Sequence, residues 1–272
     1  MTQAQTDSNE SAKKLMATKA QASSSPTNAP AVKPANALAI PEDVAASNWG
    51  AIETMETTDL LVPKIYHQQA MSKFVADGNA RPGDFCDSLT GALLAKKEDK
   101  LSVIIFGAFK TMVISKQQNG QFVLDKIVTI LPENAREFAS KPLTEEIAGV
   151  TYKNNLQYNF YCLIAGKEAE LPYVLSLGST KTKAAKKLNT MLYKLSALKL
   201  PGASVVFDLS STTEKNDKGS WAGLEITQGR DATQAELLRA HAWYLKSKSQ
   251  KFVVVEEEAS ADAIDDDDSI PF

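Results

Sequence analysis

Cysteine is nearly absent from this 272-residue chain. Cys86 and Cys162 are its two, and neither belongs to a CxxC or a mixed Cys/His spacing. That argues against a disulfide framework or a zinc site and leaves two reduced thiols, the expectation for a cytoplasmic protein. Histidine is as scarce: His67 and His241 stand outside any HExxH, HxE or Ser-His-Asp context. The side chain most often used as general base and metal ligand is therefore not arranged for either task. No run of about 18 apolar residues occurs, so no membrane-spanning helix is expected. Lys13 and Lys14 are not followed by the apolar stretch of a secretory signal. Gly178-Ser179-Thr180-Lys181-Thr182 lacks the GxxxxGK spacing of a phosphate-binding loop. The Asp265–Asp268 run has no companion ligands and would hold a hard cation poorly. The expectation is a protein that is not an enzyme and takes no metal or cofactor.

Aromatic residues are missing from positions 1–46, which are rich in Ala, Ser, Thr, Asn, Gln and Pro. Such a stretch cannot bury enough surface to offset its ordering entropy and is read as disordered. Residues 47–250 carry most of the 43% hydrophobic content and are read as the folded domain. Residues 251–272 are read as a second disordered tail, after a short strand near Phe252–Val255. Charge divides unevenly between these parts. Glu256–Phe272 holds eight acids and no Lys or Arg, leaving the rest of the chain with 30 basic and 25 acidic residues, a net of +5. A polyanion would be drawn to the body and repelled by the tail.

The body reads as mainly β with one or two helices. Leu101–Ile114 and Gln121–Leu131 are rich in β-branched and aromatic residues and flank Asn119-Gly120, a strong hairpin signal. Leu156–Ala165 with Leu171–Leu177, and Ala203–Ser211 with Ser220–Thr227 around a loop at Thr212–Gly219, form two more candidate hairpins. Leu60–Tyr66 is a strand interrupted by Pro63. Ser179–Leu198 is the clearest helix, with Ser179 or Thr180 as its cap and Leu188, Met191, Leu192, Leu195 and Leu198 as its apolar stripe. Thr233–Ser247 is a second helix.

The chain ends Asp265-Asp266-Asp267-Asp268-Ser269-Ile270-Pro271-Phe272. A hydrophobic ring and an α-carboxylate on one terminal residue suit a pocket with an apolar floor and a basic rim. This tip resembles that of bacterial single-stranded DNA-binding proteins, which end in several Asp followed by Ile-Pro-Phe. The body is more similar to the divergent single-stranded DNA-binding proteins of bacteriophages. The resemblance implies an elaborated OB-fold barrel, sequence-neutral binding of single-stranded DNA, and recruitment of replication, recombination or repair proteins. By position it assigns the protein contacts to Asp266, Asp267, Asp268, Ile270, Pro271 and Phe272, with Ser269 shifting the acidic register by one residue. It also implies the host cytoplasm as the compartment, and a homo-oligomer is compatible with it. An adaptor or decoy that uses the tip without binding DNA is the alternative.

Non-specific single-strand binding needs a basic path for phosphates and aromatic faces for bases. Candidates are Lys110, Lys153, Tyr158, Tyr161 and Trp221, with Lys181, Lys183, Lys186 and Lys187 at the start of the first helix. In a strand, Tyr158 and Phe160 point to one face and Gln157, Asn159 and Tyr161 to the other, so one face is expected to be core and the other a stacking platform. The same count puts Phe106 and Phe109 on opposite faces.

Overall fold

The computed structural model describes residues 61–167, 171–217, 219–249 and 253–254. The chain divides into two units, Met1–Glu53 and Thr54–Phe272, and every described residue belongs to the second. In chain order the strands are β1 (Leu61–Val62), β2 (Ile65–His67), β3 (Phe85–Asp87), β4 (Leu93–Ala95), β5 (Leu101–Gln118), β6 (Gln121–Ile130), β7 (Thr144–Ile147), β8 (Val150–Ile164), β9 (Tyr173–Gly178), β10 (Val205–Asn216), β11 (Gly219–Asp231) and β12 (Val253–Val254). The helices are α1 (Lys73–Ala76), α2 (Ala135–Ala139), α3 (Thr182–Ala197) and α4 (Gln234–Ser249).

Two long strands organise everything else. β5 and β8 run antiparallel from Val103 opposite Ile164 to Lys116 opposite Tyr152. Each is too long for a single partner on its outer side. The start of β5 pairs with β10, and its second half with β6. Likewise β8 pairs with β7 at its start and with β9 from Gln157 to Cys162. The result is a seven-stranded antiparallel sheet, curled into half a barrel, with β11 beyond β10. The mainly β, barrel-like architecture expected from the sequence is present.

The Asn119-Gly120 turn forms as expected, with φ of 52° and 81°. Positive φ at both positions gives the twist that right-handed strands need at a two-residue loop. The third hairpin differs from expectation. Its strands continue through most of Thr212–Gly219, with Glu214 opposite Trp221 and Asn216 opposite Gly219. Polar residues there indicated a loop, yet a strand with both faces in solvent needs no apolar alternation. The first long helix begins with a 3-10 turn, Ser179–Lys181, and no side chain caps α3. Ser179 has φ 46°, so neither it nor Thr180 takes the expected capping role.

One face of the β10-β5-β8-β9 half is covered by α3. Leu188, Ala184, Ala185 and Leu195 pack there against Phe160, Cys162, Leu175, Leu177, Phe207 and Leu209, with Ile65 and Phe85 closing the core. Burying each large side chain of this set contributes about 1.5–3 kcal/mol. On the opposite face, Ala240 of α4 covers Ile104, Phe106, Leu163 and Val206. A small third core of Met112, Ile114 and Phe138 lies under α2 on the β6-β5-β8 half.

Open edges are blunted. The Gln69 amide brackets the outer strand at Ala222, donating to its carbonyl at 3.0 Å and accepting from its N–H at 3.2 Å. On β6, the register shifts where Asp125 and Lys126 meet Ile114, placing a bulge and two charges mid-edge.

Two buried ionisable groups set the acid response. His67 is 5% exposed, stacks on Phe85 at 4.9 Å, and has Nε2 3.0 Å from Ser211 Oγ. Burial, followed by the charge of Lys181, lowers its pKa from 6.5 to about 3. Between those values the unfolded chain holds a proton that the folded protein refuses. Stability therefore falls as the pH drops through this window, by up to about 1.4 kcal/mol per pH unit. Glu236 works lower down: Arg230, bonded to it at 2.7 and 2.8 Å, holds its pKa at about 2. The stabilisation it supplies is present above 4.5 and is lost as the pH falls towards 2. Urea midpoints are expected to decline steadily between pH 6.5 and 4.5, and His67→Gln is expected to flatten that decline. An unchanged slope in the variant would remove His67 from the account.

Candidate nucleic-acid interface

The alternation along β8 decides which side chains can meet a ligand. Phe160 is 1% exposed and Tyr158 packs beside it against the first core. Gln157, Asn159 and Tyr161 project from the other face, as the period of two requires. Tyr161 leans across Gly107, where a Cβ would meet its ring at 3.1 Å. Its ring lies 5.0 Å from Phe109 and 5.9 Å from Phe106, and burial raises its pKa above the usual phenol value.

The expected separation of Phe106 from Phe109 does not hold. Register shifts between Ile105 and Gly107, so one extra residue turns Phe109 onto the same face as Phe106. Phe106 is sealed under α4, whereas Phe109 is half-buried and belongs to none of the three cores. Further along this face, Lys153 Nζ lies 5.9 Å from the centre of the Phe122 ring. Phe122, Val113 and Ile127 also lie outside the cores. Between the two aromatic groups runs an amide strip of Asn155, Gln157 and Asn159. Asn159 is locked, donating to Thr111 Oγ1 at 2.9 Å and accepting from Ser176 Oγ at 2.6 Å. Half-buried rings beside amides and a lysine form a surface that can stack bases and hydrogen-bond their edges.

The remaining predicted residues fall elsewhere. Lys110 and Tyr158 face each other across β5 and β8 on the α3 side of the sheet, with Lys110 Nζ 5.2 Å from the ring centre. Lys181 points back into the body and donates to the His67 carbonyl at 3.2 Å. Lys183, Lys186 and Lys187 are exposed on α3, and Lys187 Nζ lies 3.5 Å from Glu225. Trp221 is half-buried on β11, opposite Glu214. The tip residues Asp266, Asp267, Asp268, Ile270, Pro271 and Phe272 lie outside the described residues.

Thus the structure brings Lys153 and Tyr161 onto one face and the α3 lysines onto another. The two surfaces meet at the β9 edge. Gly178 sits opposite Gln157, and the chain then turns through Ser179 directly into the lysine-bearing helix. No acid occurs from Leu171 to Phe207, while six lysines fall between Ser179 and Leu200.

Sequence reasoning missed Phe122, Asn155 and Tyr193, and it set Phe106 and Phe109 on opposite faces without saying which of them faces outward. The Asn-Gly turn already aligns Phe122 with Gln117, and Tyr193, 77% exposed, stands opposite the Leu188–Leu195 stripe. Those two were recoverable from register and helical projection. Phe109 was not, because a bulge leaves no mark in the pattern.

Among the described residues no helix is long and apolar enough to cross a membrane, and no His, Cys, Asp or Glu cluster could hold a metal. A family model described as Pam3 phage gp34-like protein matches residues 34–258. No curated protein and no solved structure matches the chain.

Proposed function

The chain belongs to the Pam3 phage gp34-like family, and from that premise we propose that it is a phage protein that binds single-stranded DNA without catalysis and recruits replication, recombination or repair proteins through its C-terminal tip. The observation that carries the reading is the part of the β5, β6 and β8 face that lies beyond the second core. There Phe109 and Phe122 lie with Lys153 and an amide strip, and Tyr161 stands at the border of that core. A soluble strand packed only for stability gains nothing from aromatic side chains outside every core. A single strand supplies bases to cover them, at about 1–3 kcal/mol per stacked base. The exposed lysines of α3, just past the β9 edge, would carry the phosphates. The tip residues, with their apolar ring beside carboxylates, address a basic-rimmed pocket on a partner protein.

Opposite charge on body and tail adds a second consequence. With no DNA bound, the eight acids of Glu256–Phe272 compete for the rest of the chain, whose net charge is +5. Removing residues 256–272 is expected to raise affinity for an oligothymidine at low salt, with the gain fading as salt screens the tail. Fluorescence titration of both forms with single- and double-stranded oligonucleotides tests this. Equal affinities at low salt would rule out competition by the tail, and absence of any binding would favour the adaptor reading. Phe272→Ala is expected to keep DNA binding while losing capture of host replication and repair proteins.

A further inference from the structure

β8 carries four side-chain amides, and the fold treats them differently. Asn154 donates to the Pro142 carbonyl at 3.0 Å and to Glu145 at 2.9 Å. Asn159 is fixed between Thr111 and Ser176. Asn155 and Gln157, by contrast, form no side-chain hydrogen bond among the described residues, although both are half-buried. They project from the face that carries Tyr161 and Phe109, opposite Val113 and Thr111. Beside them on β9 is Gly178, where even a Cβ would come within 3.0 Å of Gln157 Cγ and 3.3 Å of Asn155 Oδ1. The neighbouring strand thus contributes no side chain that could satisfy either amide or cover it.

We infer that Asn155 and Gln157 read base edges, so that binding on this face discriminates among bases. This rests on the single-strand reading of the same face. Each amide presents one acceptor and two donors from a single group. That set can pair in bidentate fashion with an adjacent donor and acceptor on a base edge, such as N6 and N7 of adenine or N4 and N3 of cytosine, and the spacing of these groups differs from base to base. Unpaired bases held on aromatic side chains expose these edges. The locked Asn159 orients the strip and takes no part in reading.

The test compares oligo-dA, oligo-dT and oligo-dC binding to the full chain at one salt concentration, for the natural protein, Asn155→Ala/Gln157→Ala and Asn155→Asp/Gln157→Glu. Both variants are expected to lower the ratio between the tightest-bound and the weakest-bound oligonucleotide by about tenfold, the effect of one good bidentate pair. The acidic variant keeps the shape and removes the donors, so a folding defect cannot imitate its result. If the ratio is unchanged while all oligonucleotides bind, the amides do not read bases and the single-strand reading stands. If no oligonucleotide binds, the single-strand reading itself fails. If the Ala variant instead converts a sedimenting dimer to monomer, the face is a contact between copies and the inference is overturned.

Discussion

Replacing Phe109 and Tyr161 together by Ala is expected to weaken binding of single-stranded DNA by about a hundredfold, since each ring that loses a stacked base forfeits about 1–3 kcal/mol. The two rings lie 5.0 Å apart on one face of β5 and β8, so on the proposed reading they take adjacent bases and their losses are expected to compound. Phe109 alone is the cleaner probe, because it belongs to no core and its packing contact is the Tyr161 ring. Tyr161 also borders the second core. Its replacement therefore needs a thermal melt beside the binding curve, and the affinity is to be taken well below the melting temperature. The salt dependence should change little, because neither ring neutralises a phosphate. A loss smaller than about threefold in the folded double variant would show that bases do not stack here.

Phe160→Ala is expected to do the opposite, although it is the next residue along the strand. Phe160 is 1% exposed on the α3 face, paired with Ala108 and Leu175 in the first core. Truncating a buried Phe costs about 3–5 kcal/mol, the sum of lost transfer energy and the cavity left behind. Total stabilities are about 5–15 kcal/mol, so the variant should be close to unfolding at elevated temperature. The protein that remains folded should still bind single-stranded DNA as tightly as the natural chain. Urea unfolding measures the first part and oligonucleotide titration at low temperature the second. A destabilisation below about 1 kcal/mol would contradict the packing described for this core.

The contrast between these neighbours also shows what the amino-acid pattern reveals. The alternation Gln157-Tyr158-Asn159-Phe160-Tyr161 by itself separates a core face from a polar-aromatic face, because a strand has a fixed period. Asn119-Gly120 announces its hairpin through the φ values that only such residues accept readily. The forking of β5 and β8 is not visible, since pairing partners are chosen by three-dimensional proximity and the strands themselves are uninterrupted. Nor is the bulge beside Phe106, which reverses the expected orientation of Phe109. Lys181 looks like a phosphate contact in sequence and is spent on the His67 carbonyl in the fold. The α3 stripe is half legible: Lys183, Lys186 and Lys187 stand out by composition, and Tyr193 emerges once the buried Leu188 and Leu195 define the opposite side. The family match ends at residue 258, before the acidic tip.

Affinity of the full chain for an oligothymidine and for a duplex of the same length, followed over a range of salt concentrations, tests the central claim most directly. Preferential binding of the single strand is expected, with log affinity falling linearly against log salt at about −0.7 per phosphate contacted. Binding that is absent, or equal for the duplex and insensitive to Phe109→Ala, would contradict it.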